Sequence, residues 1–359
     1  LFMSQPSLLC SESGINNTLF CRRLPNAVLL MFRLYSKTIE AFDYRTNSWI
    51  TVHTHPSLEN PMSHLFLYST VFLGRCFYIV GGGLRWTDPF NRVWRYNLVT
   101  HAWQEMSPMQ ESRALMSVTE LKGYIYAMGG CRDDHVISLR NAERYQPNIN
   151  QWTFIASMNE ERIRASCTTL NNKIYICGGL SNRVLNTADL EDSMTHLFLY
   201  STVFLGRCFY IVGGGLSWTD PCIRVWRFNL VTHTWQEMSP MQEPRYLMSV
   251  TVLKGYIYAM GGCRDDDVIS HRTAERYQPN INQWTFIASM NFGRSYASCT
   301  TLNNKIYICG GMNNRVLNTA EYYNPDTNQW TLITPMGTHR YKLGVVAYMV
   351  FKDIRRTNV

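Results

Sequence analysis

The sequence has no long uninterrupted apolar run and no phosphate-binding loop. Its longest apolar stretch, residues 65–80, is broken by two hydroxyl residues and by Arg75. It therefore falls short of the roughly 20 residues that a membrane-spanning helix needs. None of the glycine runs is followed by the lysine of a P-loop, the residue that would reach the phosphates of a nucleotide. The sequence predicts neither a transmembrane helix nor a nucleotide site.

Charge is sparse and not concentrated in one place. Charged residues make up 17% of the 359 residues, and the formal net charge is +8. The basic residues are scattered, apart from Arg22-Arg23 and Arg355-Arg356 near the ends of the chain. A nucleic-acid surface would combine a dense basic stripe with stacking aromatic residues. Protein recognition is therefore favoured over nucleic-acid binding, and the 46% of hydrophobic residues suffices for a large core.

Paired thiols and convergent metal ligands are also missing. The eleven cysteines are odd in number and form no C-x-x-C motif, and we interpret them as buried thiols of a cytoplasmic, reducing environment. His53 and His55 are half of a metal site without a third ligand. The acidic runs Asp133-Asp134 and Asp265-Asp266-Asp267 each follow an arginine that can neutralise them. No metal, no cofactor and no catalytic residue is predicted, so the chain is not expected to be an enzyme.

The chain does contain a repeat, marked by pairs of glycine residues. Six apolar runs rich in β-branched and aromatic residues end in Gly-Gly, and consecutive pairs mostly stand 48 or 49 residues apart. Such runs predict β-strands, and glycine lets the backbone leave the strand at positive φ or pass close to a neighbouring chain. The pairs are Gly81-Gly82, Gly129-Gly130, Gly178-Gly179, Gly213-Gly214, Gly261-Gly262 and Gly310-Gly311.

Two further signals recur after the glycine pairs. An aromatic residue stands seven positions before a tryptophan in five units, at Tyr96 and Trp103, Tyr145 and Trp152, Phe228 and Trp235, Tyr277 and Trp284, and Tyr323 and Trp330. A methionine then stands four positions before an arginine, at Met109 and Arg113, Met158 and Arg162, Met241 and Arg245, Met290 and Arg294, and Met336 and Arg340. Each unit is predicted to be a small antiparallel sheet that packs against its neighbours, because one sheet cannot bury both faces alone.

This order of residues resembles the kelch repeat of the BTB-kelch proteins, the substrate adaptors of cullin-type ubiquitin ligases. Segments 142–152 and 320–330 carry the pattern as Ala-Glu-Arg-Tyr-Gln-Pro-Asn-Ile-Asn-Gln-Trp and Ala-Glu-Tyr-Tyr-Asn-Pro-Asp-Thr-Asn-Gln-Trp. The resemblance implies an all-β fold, a kelch-type β-propeller of four-stranded blades. It further implies that a C-terminal strand around residues 344–348 completes the N-terminal blade as its innermost strand. The implied function is protein recognition, with an actin-binding or scaffolding kelch protein as the alternative.

Counting the repeats gives seven units, one of them incomplete, with six blades as the alternative. We expect an N-terminal tail or remnant linker at 1–22, the propeller at 23–350 and a C-terminal tail at 351–359. The units are 23–60 with 338–350, 61–109, 110–158, 159–192, 193–241, 242–290 and 291–337. Unit 159–192 is incomplete because Gly213 follows Gly178 after 35 residues and the tryptophan strand is lost. We recognise no BTB or BACK region before the array, so a cullin is expected to bind only through a BTB region absent from this chain.

A longer duplication lies over the short repeat. Residues 62–187 recur almost verbatim as 194–319, at an offset of 132. Strand segments such as 76–80 and 208–212 are unchanged, whereas differences gather in loops after the glycine pairs and before the next strand, as where Arg85 is replaced by Ser217 and Glu160-Glu161 by Phe292-Gly293. In the kelch family these loops bind the partner. Loops also tolerate substitution in general, and both interpretations stay open.

From the resemblance we expect a partner-binding face built by arginines in these two sets of loops, with two tryptophans. The residues are Arg85, Trp86, Arg113, Arg132, Arg162, Arg183, Trp218, Arg245, Arg264, Arg294, Arg315 and Arg340. Guanidinium groups bind carboxylate or phosphate in a forked geometry. The hypothesis is an acidic or phosphorylated peptide partner. For each arginine, the alternative is an ion pair with a neighbouring Asp or Glu of the chain itself.

Overall fold

A computed structural model of the chain describes residues 27–32, 38–44, 46–54, 67–83, 88–97, 100, 102–132, 137–179, 200–217, 220–264, 270–337 and 344–349. All regular secondary structure in these ranges is β. They contain no helix that is long and apolar enough to cross a membrane. Nor do they contain a group of three or more His, Cys, Asp or Glu side chains that could hold a metal ion.

The strands of the described residues are short, with most of them five to seven residues long. In the first half of the chain they are β1 (Ala27–Phe32), β2 (Thr38–Asp43), β3 (Ser48–Thr54), β4 (Ser69–Leu73), β5 (Cys76–Val80), β6 (Val93–Asn97), β7 (Ala102–Met106), β8 (Ser117–Leu121), β9 (Tyr124–Met128), β10 (Cys131–Arg132), β11 (Ile137–Ser138), β12 (Ala142–Gln146), β13 (Gln151–Ile155), β14 (Ser166–Leu170) and β15 (Lys173–Cys177). In the second half they are β16 (Ser201–Leu205), β17 (Cys208–Val212), β18 (Gly215–Ser217), β19 (Asp220–Pro221), β20 (Val225–Asn229), β21 (Thr234–Met238), β22 (Ser249–Leu253), β23 (Tyr256–Met260), β24 (Ala274–Gln278), β25 (Gln283–Ile287), β26 (Ser298–Leu302), β27 (Lys305–Cys309), β28 (Met312–Asn313), β29 (Arg315–Val316), β30 (Ala320–Asn324), β31 (Gln329–Ile333) and β32 (Gly344–Met349).

Six four-stranded antiparallel sheets are present in the described part of the chain. Five follow chain order, with short hairpins inserted in some: β4-β5-β6-β7, β8-β9-β12-β13, β16-β17-β20-β21, β22-β23-β24-β25 and β26-β27-β30-β31. The sixth has the order β3-β2-β1-β32, in which Leu30 pairs with Val346. The predicted addition of the C-terminal strand to the N-terminal blade is confirmed. The pairs β10-β11, β18-β19 and β28-β29 lie in loops after glycine pairs.

The chain divides into two compact units. One comprises residues 1–32, 39–52 and 196–359 and holds four of the four-stranded sheets. The other comprises 33–38 and 53–195 and holds the sheets β4-β5-β6-β7 and β8-β9-β12-β13 and the hairpin β14-β15. Within the described residues this hairpin has no third or fourth strand. The predicted loss of the tryptophan strand concerns residues that lie largely outside the described ranges.

Neighbouring sheets within a unit pack through aromatic residues of the second, third and fourth strands. Tyr145 on β12 lies opposite Trp152 on β13, with ring centres 5.1 Å apart. Its ring centre is 6.0 Å from that of Tyr78 on the preceding sheet. These rings are buried together with Val80 and Ile125. The seven-residue spacing thus sets two large rings side by side across a strand pair, where they cover the seam between sheets.

Burial keeps the thiols of the core protonated. Nine cysteines lie in the described ranges, and none of them forms a disulfide. Burial raises the pKa of Cys131 and Cys177 to about 11. It raises the pKa of Cys167 and Cys299 to about 12. Because the thiolate is the nucleophile and metal ligand, these four thiols are poor candidates for chemistry.

The glycine pairs are required by a close approach of the next sheet. Gly261 and Gly262 have φ angles of 66° and 89°. A Cβ on Gly261 would lie 2.2 Å from the carbonyl oxygen of Arg294, inside any van der Waals contact. The amide of Gly262 donates a hydrogen bond to the same oxygen at 2.7 Å. Glycine is needed here for space as well as for its backbone conformation.

A pair of substitutions separates these two requirements. Gly255 also has positive φ, 79°, but a Cβ there meets nothing within 4 Å. We expect Gly255→Ala to lower the free energy of unfolding by about 1 kcal/mol, from backbone strain alone. Gly261→Ala should cost roughly 2 kcal/mol more, because the backbone of Arg294 must move. Urea unfolding followed by tryptophan fluorescence measures both, and equal losses would show that the close approach has no energetic weight.

Candidate protein-binding face

Three of the arginines predicted to contact a partner are buried. Arg113 and Arg245 are 0% exposed and Arg294 is 1% exposed. Each stands just before the first strand of a sheet and faces a fully buried glutamate on the third strand of that sheet. The pairs are Arg113 with Glu143, Arg245 with Glu275, and Arg294 with Glu321.

The Arg113–Glu143 pair shows how such a bridge is satisfied. Nε and Nη2 of Arg113 donate to Oε1 of Glu143 at 3.2 and 3.0 Å. Nη1 donates to the carbonyl oxygens of Gly129 and Asn141 at 2.9 and 3.0 Å. The carboxylate of Glu143 also accepts the backbone amide of Gln110 at 2.7 Å. Buried charges are tolerated when each is paired and hydrogen-bonded in this way.

The other two bridges are similar, although Arg245 donates to Glu275 through Nε and to Glu243 through Nη2. Nη1 of Arg294 donates to the carbonyl oxygen of Gly310 at 2.7 Å, and Nη2 donates to Glu321 at 3.0 Å. Burial raises the pKa of the Glu275 carboxyl, because removal from water disfavours its charged form. Hydrogen bonds from the Gln242 amide and from Arg245 act in the opposite direction.

The placement of Arg113, Arg245 and Arg294 on a binding face is therefore wrong. Their guanidinium donors are used inside the sheets, so the alternative of ion pairing within the chain holds for these three. Their partners, Glu143, Glu275 and Glu321, were missed at the sequence level. The sequence did contain a signal for these glutamates, because each belongs to an Ala-Glu pair with which the third strand begins.

Within the described residues, the sheets β4-β5-β6-β7 and β16-β17-β20-β21 show no buried arginine–glutamate bridge. In the sheet β4-β5-β6-β7, Trp94 occupies the position of the buried glutamate on the third strand. The guanidinium carbon of Arg92 lies 4.8 Å from the Trp94 ring centre, and its Nε donates to Glu105 on β7 at 2.6 Å. This pair is partly exposed. The substitution replaces a buried charge pair by a tryptophan with an arginine stacked on it.

The remaining predicted residues divide into exposed, partly buried and undescribed ones. Arg132, Arg264 and Arg315 are exposed, and all three lie in loops after glycine pairs. Arg132 pairs with Glu111 at 3.3 Å. Arg162 is partly buried and donates to the carbonyl oxygen of Gly178 at 2.6 Å. Arg85, Trp86, Arg183, Trp218 and Arg340 lie outside the described residues.

Hydrogen bonds connect the loops of successive sheets in the compact unit that comprises residues 1–32, 39–52 and 196–359. The hydroxyl of Ser270, at the end of the loop after Gly261-Gly262, donates to the carbonyl oxygen of Met312 at 2.7 Å. Met312 begins the loop after Gly310-Gly311, and its carbonyl oxygen also accepts the amide of Ser295 at 3.0 Å. Ser295 stands three residues before β26, the first strand of the sheet β26-β27-β30-β31. The two predicted sets of loops therefore meet, and the loops of Arg264 and Arg315 are neighbours.

The Kelch motif family matches five segments of the chain, residues 65–110, 112–159, 197–242, 244–291 and 293–337. Together these segments cover more than half of the 359 residues. The chain belongs to the kelch repeat family. Its four-stranded sheets are blades of an all-β kelch propeller. The kelch matches leave a gap at 160–196, which corresponds to the unit predicted to be incomplete.

Several curated proteins share the kelch repeats. Kelch-like protein 26 of Danio rerio is 31% identical over 243 residues, which are 66% of this chain and 34% of that protein. Kelch-like protein 23 of Homo sapiens is 25% identical over 285 residues, which are 74% of this chain and 48% of that protein. Kelch repeat and BTB domain-containing protein 12 of Danio rerio is 30% identical over 139 residues, 36% of this chain and 21% of that protein.

The kelch chain thus spans about a third to about half of the length of these first two relatives. Among solved structures, one titled "Structure of YjhT" matches with a TM-score of 0.54 and 12% sequence identity. The match covers 75% of this chain and 97% of the other. At this identity the likeness concerns the fold alone. Kelch repeats and kelch-like relatives together make this chain a protein-interaction module.

The buried bridges of the kelch blades give a stability prediction. Arg113→Met leaves the Glu143 carboxylate buried without its partner, and we expect a loss of about 3–5 kcal/mol in the free energy of unfolding. Glu105→Gln breaks the partly exposed pair with Arg92 and should cost about 1 kcal/mol or less. Replacing both buried partners, as Arg113→Met with Glu143→Leu, should recover part of the loss. Thermal unfolding of the three variants checks this, and equal losses for Arg113→Met and Glu105→Gln would contradict the structural role of the bridge.

Proposed function

We propose that this kelch chain is the substrate-recognition part of a cullin-type ubiquitin ligase adaptor and that it binds an acidic or phosphorylated segment of its partner. The observation that carries the proposal is the recurrence of an exposed arginine in three loops after glycine pairs, at Arg132, Arg264 and Arg315. The kelch-like relatives support the adaptor class. Binding requires no chemistry on this chain.

Two exposed arginines supply hydrogen-bond donors for an anionic ligand. Arg264 and Arg315 are exposed, and within the described part of the chain neither guanidinium group has a hydrogen-bond or ion-pair partner. The loops that carry them are joined through Ser270 and Met312. Exposed guanidinium groups on joined loops bind carboxylate or phosphate with forked hydrogen bonds. The burial of Arg113, Arg245 and Arg294 narrows the proposed face to the loops after the glycine pairs.

A charge-reversal series tests this face. Peptide arrays that contain acidic and phosphorylated sequences first select a ligand. We expect Arg264→Glu with Arg315→Glu to weaken its binding at least roughly tenfold at low salt, with a smaller effect at high salt, because screening shortens the range of the charges. Titration calorimetry at two salt concentrations measures the effect.

The matched control is Arg207→Glu. Arg207 is also exposed, but it lies in the turn before β17, at the opposite end of that strand from Gly213-Gly214. Its reversal changes the net charge without touching the proposed face and should leave the affinity nearly unchanged. An equal loss of affinity from Arg207→Glu would show that the effect comes from the net charge of the protein alone. Unchanged affinity in the double variant would move the site away from these loops.

The adaptor proposal places cullin binding outside the kelch repeats. The name of one relative records a BTB domain together with its kelch repeat, and by the family resemblance the BTB region holds the cullin. We expect the 359-residue chain by itself to recover no cullin in a pull-down with purified components. Retention of cullin by this chain would contradict the proposed division of labour.

A separate experiment tests the alternative that the chain is an actin-binding or scaffolding kelch protein. Saturable co-sedimentation of the chain with actin filaments favours that alternative. Absence of pelleting, together with selection of an acidic ligand, favours the adaptor proposal.

We also propose seven repeat units, of which six are complete blades. Six four-stranded sheets in the described ranges, with the additional hairpin β14-β15, support this number. The incomplete unit is the one at residues 159–192.

A further inference from the structure

The two copies of the duplication differ most sharply in one short loop. Residues 142–179 and 274–311 are identical except in this loop, where Glu-Glu-Arg-Ile-Arg at 160–164 stands against Phe-Gly-Arg-Ser-Tyr at 292–296. Only the arginine is shared. The hairpin turns at the other ends of the strands, such as 146–151, are the same in both copies. General tolerance of loops to substitution predicts changes in these turns as well, so the difference is specific to one loop.

One side of the loop 292–296 packs against the loop that carries Arg264. Gly293 is buried, and a Cβ at this position would lie 2.1 Å from the carbonyl oxygen of Ser270. Any other residue would force the two loops apart. Glycine therefore permits a close approach at a position where the other copy has a glutamate.

The other side of the loop packs against the hairpin that carries Arg315. The amide of Ser295 donates to the carbonyl oxygen of Met312 at 3.0 Å, and Met312 pairs with Val316 in β28-β29. Arg315 is exposed on the same hairpin. Residues 292–296, called the floor loop below, thus lie between two loops that each carry an exposed arginine.

The floor loop has no carboxylate, unlike its copy. Glu160-Glu161 is partly exposed, and Phe292-Gly293 takes its place in the floor loop. The charge that remains there, on Arg294, is buried and paired with Glu321. Because like charges across an interface repel, an anionic ligand would be repelled by two carboxylates in one copy and by none in the other.

The ring of Phe292 is not needed to bury the arginine–glutamate bridge next to it. The guanidinium carbon of Arg294 lies 5.9 Å from the ring centre of Phe292, which is partly exposed. In the blade of Arg113 the residue at the equivalent position is Glu111, and Arg113 is nevertheless 0% exposed. A partly exposed ring that the bridge does not require is available to pack against a ligand.

We propose that Phe292 selects an anionic partner segment that has an aromatic side chain next to its negative charge. The charge is bound by Arg264 and Arg315, as in the proposed function on which this inference rests, and the aromatic side chain packs on the Phe292 ring. Pairs of aromatic rings stabilise a complex beyond the area that they bury. The copy at 160–164 offers no such ring and repels the charge, so it does not bind this segment.

A peptide array tests the selection on the native chain. The residues next to one glutamate or phosphoserine are varied, and all other positions are kept constant. We expect peptides with Phe, Tyr or Trp there to bind roughly threefold to tenfold more tightly than those with Ala, the range for one aromatic pair. Equal affinities overturn this inference and leave the proposed function intact. Absence of binding by every anionic peptide overturns both.

A double-mutant cycle shows whether Phe292 makes the contact. Phe292→Ala should remove the threefold to tenfold advantage of the Phe-containing peptide and leave the affinity of its Ala counterpart nearly unchanged, because the cycle cancels effects that do not involve the pair. Phe292→Tyr keeps a ring and should retain the advantage. Titration calorimetry measures the affinities, and thermal unfolding checks that each variant is folded. Equal losses for both peptides would assign Phe292 a structural role and overturn the inference.

The matched control is Phe286→Ala. Phe286 is 51% exposed on β25, outside the floor loop, and its removal should leave both affinities unchanged. A loss equal to that of Phe292→Ala would overturn the assignment of the contact.

Phe292→Glu and Phe292→Gln separate the charge from the ring. Both remove the ring, but only the glutamate restores the acid of the other copy. At low salt we expect Phe292→Glu to bind either peptide at least roughly threefold more weakly than Phe292→Gln does, with a smaller difference at high salt. Equal affinities of the two variants would overturn the role of the missing carboxylates.

Discussion

The packing of two consecutive blades depends on one arginine residue, Arg113, which forms hydrogen bonds with both of them. The backbone carbonyl of Arg113 accepts a hydrogen bond from Gly82 of the preceding blade at 2.8 Å. Its guanidinium donates to Gly129 and Glu143 of the following blade. The same residue thus fixes the end of one sheet and the start of the next. The glycine pair is the necessary counterpart, because a Cβ on Gly81 would lie 2.4 Å from this carbonyl oxygen.

Blades with a buried arginine–glutamate bridge differ in their demands on loop geometry from the two blades that carry Trp94 or Trp226 at the position of the glutamate. A buried bridge needs every donor and acceptor satisfied, which demands fixed loop geometry on both sides of the strand. A tryptophan with an arginine on its face tolerates more variation, since stacking has weaker directional requirements. In the second of these blades Arg224 lies 4.3 Å from the Trp226 ring centre. Its hydrogen bond lowers the pKa of Glu237 on the neighbouring strand.

Periodic features were predictable from the sequence, and long-range partners were not. The glycine pairs and the aromatic residue seven positions before tryptophan gave correct strands, because each reflects a local requirement for space or register. The pairing of the C-terminal strand with the N-terminal blade followed instead from the family resemblance. Three of the arginines predicted on the surface, Arg113, Arg245 and Arg294, are buried instead. Whether Arg245 reaches outward or inward depends on Glu275, 30 residues away, and sequence spacing alone does not reveal such a pairing. Glu243, which also bonds Arg245, shows that a nearby acid can share the same arginine.

The duplicated core has a consequence for folding. Tyr210, Tyr277 and Trp284 repeat the ring distances of Tyr78, Tyr145 and Trp152 at 6.0 and 5.1 Å. A folding chain therefore presents two sets of nearly equivalent packing surfaces, and a blade from one half matches the neighbours of its copy almost as well as its own. Native-like contacts then no longer specify a unique order of blades, and the difference between correct and exchanged assemblies rests on the few residues in which the copies differ. Repeat proteins misassemble by this route, and only residues that differ between the two copies can make the exchanged assembly less stable than the correct one.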